Sequence, residues 1–260
     1  MGPSVSFLGH ASTLIEIDGV RVLTDPLLRS RITFLRRVVP AAPEEMSQNI
    51  DVVLISHLHH DHCDLESLAM LPDAIIIAPQ GAGGYLRTRG KLSNVIELIE
   101  GESTQVRGLI FTAVHADHDG LRPPLGPRAI ALGYVVSGND GTVYSAGDTD
   151  VFPEMATLPM PESRGLDVAL LPVWGWGPNL GPGHMNPQRA ADALDLLQAK
   201  VAVPIHWGTL FPAMLKTTLP GSRALLSQPP RQFAELAAAG GSGTEVLVTE
   251  PGERVRTTHE

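Results

Sequence analysis

A short stretch of this chain concentrates side chains that can do chemistry. Residues 56–64 contain four of the ten histidines, which are His57, His59, His60 and His62. An apolar run at residues 51–55 precedes them and predicts a buried strand. If the backbone is still extended at His57 and His59, both imidazoles leave one face and can bind one cation. A strand that ends in such ligands indicates a metal site.

The same stretch can serve a second cation. Asp61 and His62 are adjacent, so their side chains must diverge as the chain turns into a helix predicted to begin near Asp64. The alternative is a solvated histidine tract or a set of buried histidines that donate to carbonyls, but the carboxylate, strand and helix would then all be coincidences. The spacing therefore predicts two metal ions, with His60 and Cys63 outside the ligand set.

Three further metal-type side chains stand at the ends of predicted strands, namely His115, Asp148 and His206. Loops at one rim of a sheet bring together ligands that are far apart in the sequence. The expected sets are His57, His59 and His115 for one ion and Asp61, His62 and His206 for the other, with Asp148 as the bridge between them.

The elements that position these residues suggest two sheets. Asp18-Gly19 between two apolar runs is a strong hairpin signal and opens an antiparallel meander. A second hairpin is predicted around residues 139–141, and Asn186-Pro187 predicts a helix start, with another helix from Pro230. Each half of the chain has a meander followed by helices and strands. This favours two sheets packed face to face and covered outside by helices.

Composition limits the class of protein. A chain of 260 residues, 43% hydrophobic and 18% charged, is expected to form one globular domain, residues 1–260, with residues 27–49 as a candidate lid or insertion. The formal charge of -9 argues against nucleic acid and leaves a small molecule as the expected substrate. One cysteine and no signal-peptide pattern favour the cytoplasm, and no run approaches the ~20 apolar residues of a membrane span.

Other partners stay open at this stage. A basic cluster consists of Arg29, Arg31, Arg36 and Arg37. It is compatible with a substrate lid, a peripheral membrane contact or a solvated helix, since charge runs usually face solvent. A homo-oligomer is likewise compatible with the sequence.

The sequence resembles the metallo-β-lactamase-fold hydrolases. The HxHxDH run from His57 to His62 is the most specific motif of that superfamily, and the later ligands follow in the order and approximate spacing that it requires. Shorter matches resemble the branch of N-acyl-phosphatidylethanolamine phospholipase D and ascorbate-6-phosphate lactonase; they are Gly9-His10-Ala11, Thr24-Asp25-Pro26, Gly147-Asp148-Thr149 and His184-Met185-Asn186-Pro187. The resemblance implies an α/β fold, a four-layer αββα sandwich of two mixed sheets, with a dinuclear zinc, manganese or iron centre.

One stretch departs from that branch. The residues after His115 are Ala116-Asp117-His118-Asp119-Gly120, without the aromatic residue and arginine expected in the phospholipase D relatives. The loop that faces the substrate is therefore remodelled, and phospholipid specificity is not carried over.

The chemistry expected of a two-metal site is hydrolysis. A water shared by two cations ~3.5–4 Å apart loses a proton near neutral pH and becomes a bridging hydroxide. Asp61 is expected to orient this hydroxide while it binds metal. His184 is expected to donate a proton to the substrate oxyanion or leaving group, with packing at a helix start as the alternative.

Four other residues are expected to support the site. Asp25 and His10 are interpreted as groups that fix the tautomers and rotamers of the metal ligands, with a structural role as the alternative for His10. Trp174 and Trp176 are expected either to wall the substrate pocket or to lie in the core.

The predicted function is a dinuclear-metal hydrolase of a phosphodiester or another phosphoester. A lactonase or related ester hydrolase is the second hypothesis, because bridged metal hydroxides attack both phosphorus and carbonyl centres. A metal-bearing redox or binding module is the third. It is disfavoured because redox relatives usually carry a flavin domain or paired cysteines.

Overall fold

The computed structural model describes residues 2–161, 165–212 and 221–257, and its main feature is a pair of seven-stranded sheets that face each other. With strands numbered in chain order, the first sheet runs from edge to edge through β17 (Arg254–Arg256), β1 (Ser4–Gly9), β2 (Ser12–Ile17), β3 (Val20–Thr24), β6 (Val52–Leu54), β7 (Ile75–Pro79) and β8 (Val95–Leu98). The second runs through β16 (Glu245–Val246), β14 (Val201–Ile205), β13 (Val168–Pro172), β12 (Thr142–Ser145), β11 (Leu132–Ser137), β10 (Leu109–His115) and β9 (Ser103–Val106).

The two sheets share one plan. In the first, β1, β2 and β3 form the predicted antiparallel meander, whereas β3, β6, β7 and β8 run parallel. In the second, β9 to β12 are antiparallel, and β12, β13, β14 and β16 are parallel. Because parallel strands end at one edge of a sheet, the residues that follow β3, β6, β12 and β14 come to one rim.

The turn between β2 and β3 confirms the Asp18-Gly19 hairpin. Asp18 has φ 50° and Gly19 has φ 78°, the two left-handed residues of a type I′ turn. The Asp18 carboxylate also accepts hydrogen bonds from the backbone nitrogens of Asn139 (2.6 Å) and Asp140 (2.7 Å). The turns of both predicted hairpins are thus tied together at the end of the sandwich.

Helices flank the sheets as predicted. They are α1 (Leu65–Leu68), α2 (Gly83–Thr88), α3 (Pro187–Leu197) and α4 (Ser222–Gly240). Asn186 caps α3 by accepting from the Arg189 nitrogen at 3.0 Å. Helix α4 begins before the predicted Pro230, and both Pro229 and Pro230 lie inside it. Proline is best tolerated in the first turn, so the sequence pattern placed the start at the proline, although this helix contains two.

The continuous apolar runs of the parallel strands have a structural cause, because both faces of the first sheet are covered. On β6, Val52 and Leu54 face the core between the sheets. Val53 faces the opposite way, into a second cluster that includes Leu68 of α1 and Leu86 of α2. Alternate residues of one strand therefore belong to two different cores.

The candidate lid at residues 27–49 is tied to the rest of the protein. It contains β4 (Arg31–Ile32) and β5 (Leu35–Arg37), which form a small sheet with β15 (Leu210–Pro212), and a 3₁₀ helix at Glu44–Ser47. Arg29 makes a two-pronged ion pair with Asp64, at 2.8 and 2.7 Å. In the part of the chain that the structure describes, no helix is long and apolar enough to cross a membrane.

Candidate metal centre

Asp25, directly after β3, holds the histidine loop that follows β6. Its Oδ1 accepts from the Ser56 backbone nitrogen at 2.8 Å, and its Oδ2 accepts from Ser56 Oγ at 2.6 Å and from His62 Nδ1 at 2.7 Å. His57 Nδ1 lies 2.9 Å from Ser56 Oγ. Because that hydroxyl gives its only proton to Asp25, it must accept from His57. In the neutral rings, Nε2 of both histidines therefore carries the lone pair.

His57, His59 and His118 form the first group of candidate ligands. Nε2 of His118 lies 3.2 Å from Nδ1 of His59. The centroid of the His57 ring is 4.5 Å from that of His59 and 4.6 Å from that of His118. His118 Nδ1 donates to the carbonyl oxygen of Gly183 at 2.9 Å, which leaves the lone pair on the Nε2 that faces His59.

His62, Asp148 and His206 form the second group. Nε2 of His62 lies 3.1 Å from Asp148 Oδ2 and 3.2 Å from His206 Nε2, and the third side of this triangle measures 3.3 Å. His206 Nδ1 donates to the carbonyl oxygen of Trp174 at 2.8 Å, so its lone pair also faces the triangle. Three acceptor atoms thus meet at a buried point, an arrangement that needs a positive charge between them.

These distances fit bound metal. Two ligand atoms of a tetrahedral zinc ion, each about 2.0–2.1 Å from the metal, lie about 3.3–3.4 Å apart. In addition, His57 Nε2 and Asp148 Oδ1 are buried and have no hydrogen-bond partner among the described residues. A buried polar atom left without a partner is costly, and a cation would supply one. The donor set of imidazoles and carboxylates, without thiolate, suits zinc, manganese or iron.

The pKa values of the site match ligand chemistry. Burial lowers the pKa of His57 and His59, and it lowers the pKa of His118 to about 4, so these rings are neutral at physiological pH. Burial also opposes charge on His62, but the carboxylates of Asp148 and Asp25 outweigh it and raise the pKa of His62 well above its usual value. The second group therefore attracts a positive charge, as a proton or as a metal ion.

Asp61, which is predicted to bind the second ion, forms a further candidate ligand group with His10, His62 and His206. His10 Nε2 is 2.9 Å from Asp61 Oδ2, which lies 3.8 Å from His206 Nε2. Burial lowers the pKa of His10 to about 4, and its ring is fully buried. Burial would raise the pKa of Asp61, but the hydrogen bond from His10 and the nearby histidines outweigh it and keep that pKa well below its usual value. Asp61 is thus an anion whose orientation is fixed by His10.

His184 lies beside both groups and remains partly open to solvent. Its Nε2 is 3.4 Å from Asp148 Oδ2, and its ring centroid is 4.7 Å from that of His118. Its Nδ1 faces the carbonyl oxygens of Gly181 and Pro182 at 3.2 and 3.1 Å. Burial lowers its pKa, but the hydrogen bond and charge of Asp148 outweigh burial and raise it above the usual value.

The structure corrects the expected place of His115. Strand β10 continues through His115, which pairs with Leu132. The imidazole lies outside the ligand groups, 3.1 Å from Glu100 Oε2 and against the ring of Phe152, and its side chain is 43% exposed. The chain needs three more residues to leave the strand and reach the rim, and His118 is the histidine that arrives there.

The remaining expected residues lie around the site. Trp174 orients His206 through its carbonyl, and its indole donates to Gly177. Trp176 packs edge to face against Phe34, with ring centroids 5.3 Å apart. Among the described residues, His60 and Cys63 lie outside the candidate ligand groups.

Comparisons with known proteins agree with this geometry. A family model described as a beta-lactamase superfamily domain matches residues 20–207. A UPF0173 metal-dependent hydrolase from Methanopyrus kandleri is 33% identical over 253 residues, covering 96% of this chain and 97% of that protein. Another, from Thermococcus kodakarensis, is 32% identical over 258 residues, covering 96% and 98%.

Among solved structures, Igni18, a novel metallo hydrolase from Ignicoccus hospitalis, has a TM-score of 0.74 and 23% identity over 99% of both chains, a likeness of fold. The names of these relatives give no substrate, so the phospholipase D and lactonase branch stays a prediction. The sandwich fold, the two ligand groups and the similarity to these relatives over nearly the whole chain all indicate the same family. The chain belongs to the beta-lactamase superfamily, as a metal-dependent hydrolase of the UPF0173 family, and has the metallo-β-lactamase fold.

Proposed function

We propose that this hydrolase cleaves a phosphodiester or another phosphoester with two divalent metal ions, of which zinc fits the ligands best. The observation that supports it is the pairing of two ligand groups around one carboxylate. Asp148 stands within ligand distance of His57 and His62, and also of His118 and His184. A carboxylate in that position has two oxygens with which to serve two ions.

Each group of residues has its own task. His57, His59 and His118 would hold one ion, and His62, Asp148 and His206 the other. When bound, two such ions supply Lewis-acid charge and lower the pKa of water between them. Asp61, oriented by His10, would bind the second ion beside His62 and His206 and would align that water.

His184 is proposed as the proton donor to the leaving group. The Asp148 carboxylate raises its pKa above the usual value, which favours the protonated ring, and its side chain is 20% exposed, so it faces the open part of the site. The carbonyls of Gly181 and Pro182 fix Nδ1, which leaves the Nε2 proton for transfer. A proton given to the departing oxygen spares the formation of an alkoxide.

A phosphoester is favoured because it matches two adjacent cation sites. A phosphodiester carries two non-bridging oxygens and a phosphomonoester three, and paired metal sites bind such groups during in-line displacement. A lactone carbonyl has a single oxygen that gains charge. The lactone reading is therefore the second hypothesis and is decided by experiment.

Trp176 and Phe34 are proposed as an apolar wall of the substrate pocket. Phe34 is 58% exposed at the tip of the β4–β5 hairpin and rests on Trp176. Trp176 is two residues from the carbonyl that orients His206, and a Cβ on Gly175 would lie 3.8 Å from that imidazole. A substrate with an apolar substituent near the scissile bond would contact this wall.

The test uses metal-free protein reconstituted separately with zinc, manganese and iron. Hydrolysis of bis-p-nitrophenyl phosphate is compared with that of a lactone panel, and oxygen consumption is followed in the iron form. Phosphodiester turnover in a metal-reconstituted sample is the expected result. Turnover of lactones alone would replace the proposed substrate class, and oxygen consumption without hydrolysis would replace the reaction.

A further inference from the structure

Arg122 is a buried cation that joins the two loops bearing the ligands. It follows His118 by four residues and is 7% exposed. Its Nη1 donates to the carbonyl oxygens of Leu58 at 2.7 Å and Cys63 at 2.9 Å. These two carbonyls bracket residues 59–62. The guanidinium of Arg122, which lies in the loop that carries His118 (the His118 loop), therefore hydrogen-bonds the backbone on both sides of residues 59–62 in the histidine loop.

The same guanidinium fixes His60. Its Nη2 donates to His60 Nδ1 at 2.9 Å, and His60 Nε2 donates to the carbonyl oxygen of Pro123 at 3.0 Å. Both ring nitrogens of His60 are thus engaged on the Arg122 side. This explains why His60 is in neither ligand group, although the other three histidines of residues 56–64 are ligand candidates.

The backbone around Arg122 is itself held. The Arg122 backbone nitrogen donates to the carbonyl oxygen of Pro127 at 3.0 Å, and the Gly126 nitrogen donates to the carbonyl oxygen of Arg122 at 2.8 Å. The guanidinium carbon lies 5.0 Å from the centroid of the Tyr85 ring, a cation–π contact. The planar guanidinium of Arg122 is therefore held in a fixed position against the histidine loop.

The partners of Arg122 indicate a geometric role. Within the described residues they are two carbonyls, one imidazole and one aromatic ring, and none is a carboxylate. A buried charge without an opposite charge is expensive to keep. An apolar side chain would fill the space, whereas only a guanidinium offers several donors in fixed directions.

We propose that Arg122 is a positioning residue that sets the distance between the His118 loop and the histidine loop, and so the geometry of the His57, His59 and His118 group. The inference rests on the proposed metal centre. Outer groups that orient ligands typically contribute about 10–100-fold to metal affinity.

The test compares three variants by cobalt titration of the metal-free protein. Arg122→Lys keeps the charge but loses the planar fork, Arg122→Met keeps only the stem, and Arg128→Met is the matched control. Arg128 lies in the same loop, 66% exposed, and pairs with Asp119. The visible absorption of bound cobalt reports ligand geometry, and hydrogen exchange of residues 57–63 in the metal-free protein reports the loop without metal.

We expect Arg122→Lys to weaken cobalt binding about 10-fold, to alter the cobalt spectrum and to speed exchange in the loop, with a larger effect for Arg122→Met and none for Arg128→Met. If Arg122→Met does not fold, Arg122→Lys decides. A folded Arg122→Lys protein with the wild-type cobalt affinity and spectrum would overturn the inference. Failure of the wild-type protein to bind cobalt would instead contradict the proposed metal centre.

Discussion

Nε2 of His118 lies 3.2 Å from Nδ1 of His59, whereas His115 pairs with Glu100 outside the site. His115 and His118 are three residues apart on one chain segment, yet only His118 reaches the rim of the sandwich. The difference gives a direct way to test which histidine binds metal.

His118→Ala should lower metal content by about one ion per chain and reduce hydrolysis by two or more orders of magnitude, because one group loses a ligand of three. Elemental analysis of the purified protein measures the first effect. His115→Ala is the control and should keep the wild-type metal content, since its imidazole contacts Glu100 and Phe152. The opposite pattern would restore His115 as the ligand.

Asp148→Ala should weaken both metal sites, because this carboxylate stands between the two groups. Metal titration followed by calorimetry should show a lower affinity for each equivalent, with activity reduced by several orders of magnitude. Asp150→Asn is the matched control, since Asp150 binds Arg189 at 2.6 Å. Unchanged metal binding in Asp148→Ala would remove the bridging role.

His184→Ala should slow turnover about 10²–10⁴-fold while both metals stay bound, as expected for loss of a proton donor. The loss should be larger for an alkyl phosphodiester than for a p-nitrophenyl ester, because a good leaving group needs less protonation. Parallel rate and metal measurements check this. Loss of metal from the variant would make His184 a ligand instead.

Cys63 should resist alkylation in the folded protein. Burial raises the pKa of its thiol to about 12, and the thiolate is the reactive form, so almost none is present at pH 8. Iodoacetamide followed by mass spectrometry should label the protein in denaturant and leave the native form unlabelled. Rapid labelling of the native protein would show that Cys63 is reached by solvent.

Much of the fold follows from local rules in the sequence. The Asp18-Gly19 turn needs two left-handed residues, and Asn186 with Pro187 satisfies the start of a helix, so both positions are readable without coordinates. The predicted start of α4 at Pro230 is wrong, because the helix begins at Ser222 and contains both Pro229 and Pro230. There the packing of a long helix outweighs the local preference of proline.

The site was predictable where the ligands are close in sequence. His57, His59 and His62 share one loop, and the structure brings Asp148 and His206 to them. His118 was missed because the pattern of a strand followed by a histidine chose the first histidine at the end of β10. A shift of a few residues in the end of a strand is beyond sequence reasoning. The contacts of Arg122 are tertiary and leave no pattern in the sequence.

The most direct test of the whole account is anomalous X-ray diffraction from crystals of the metal-reconstituted protein. We expect two peaks about 3.5–4 Å apart, one among His57, His59 and His118 and the other among His62, Asp148 and His206. A single peak, or a peak bound by His115, would contradict the two-metal centre on which the proposed hydrolysis depends.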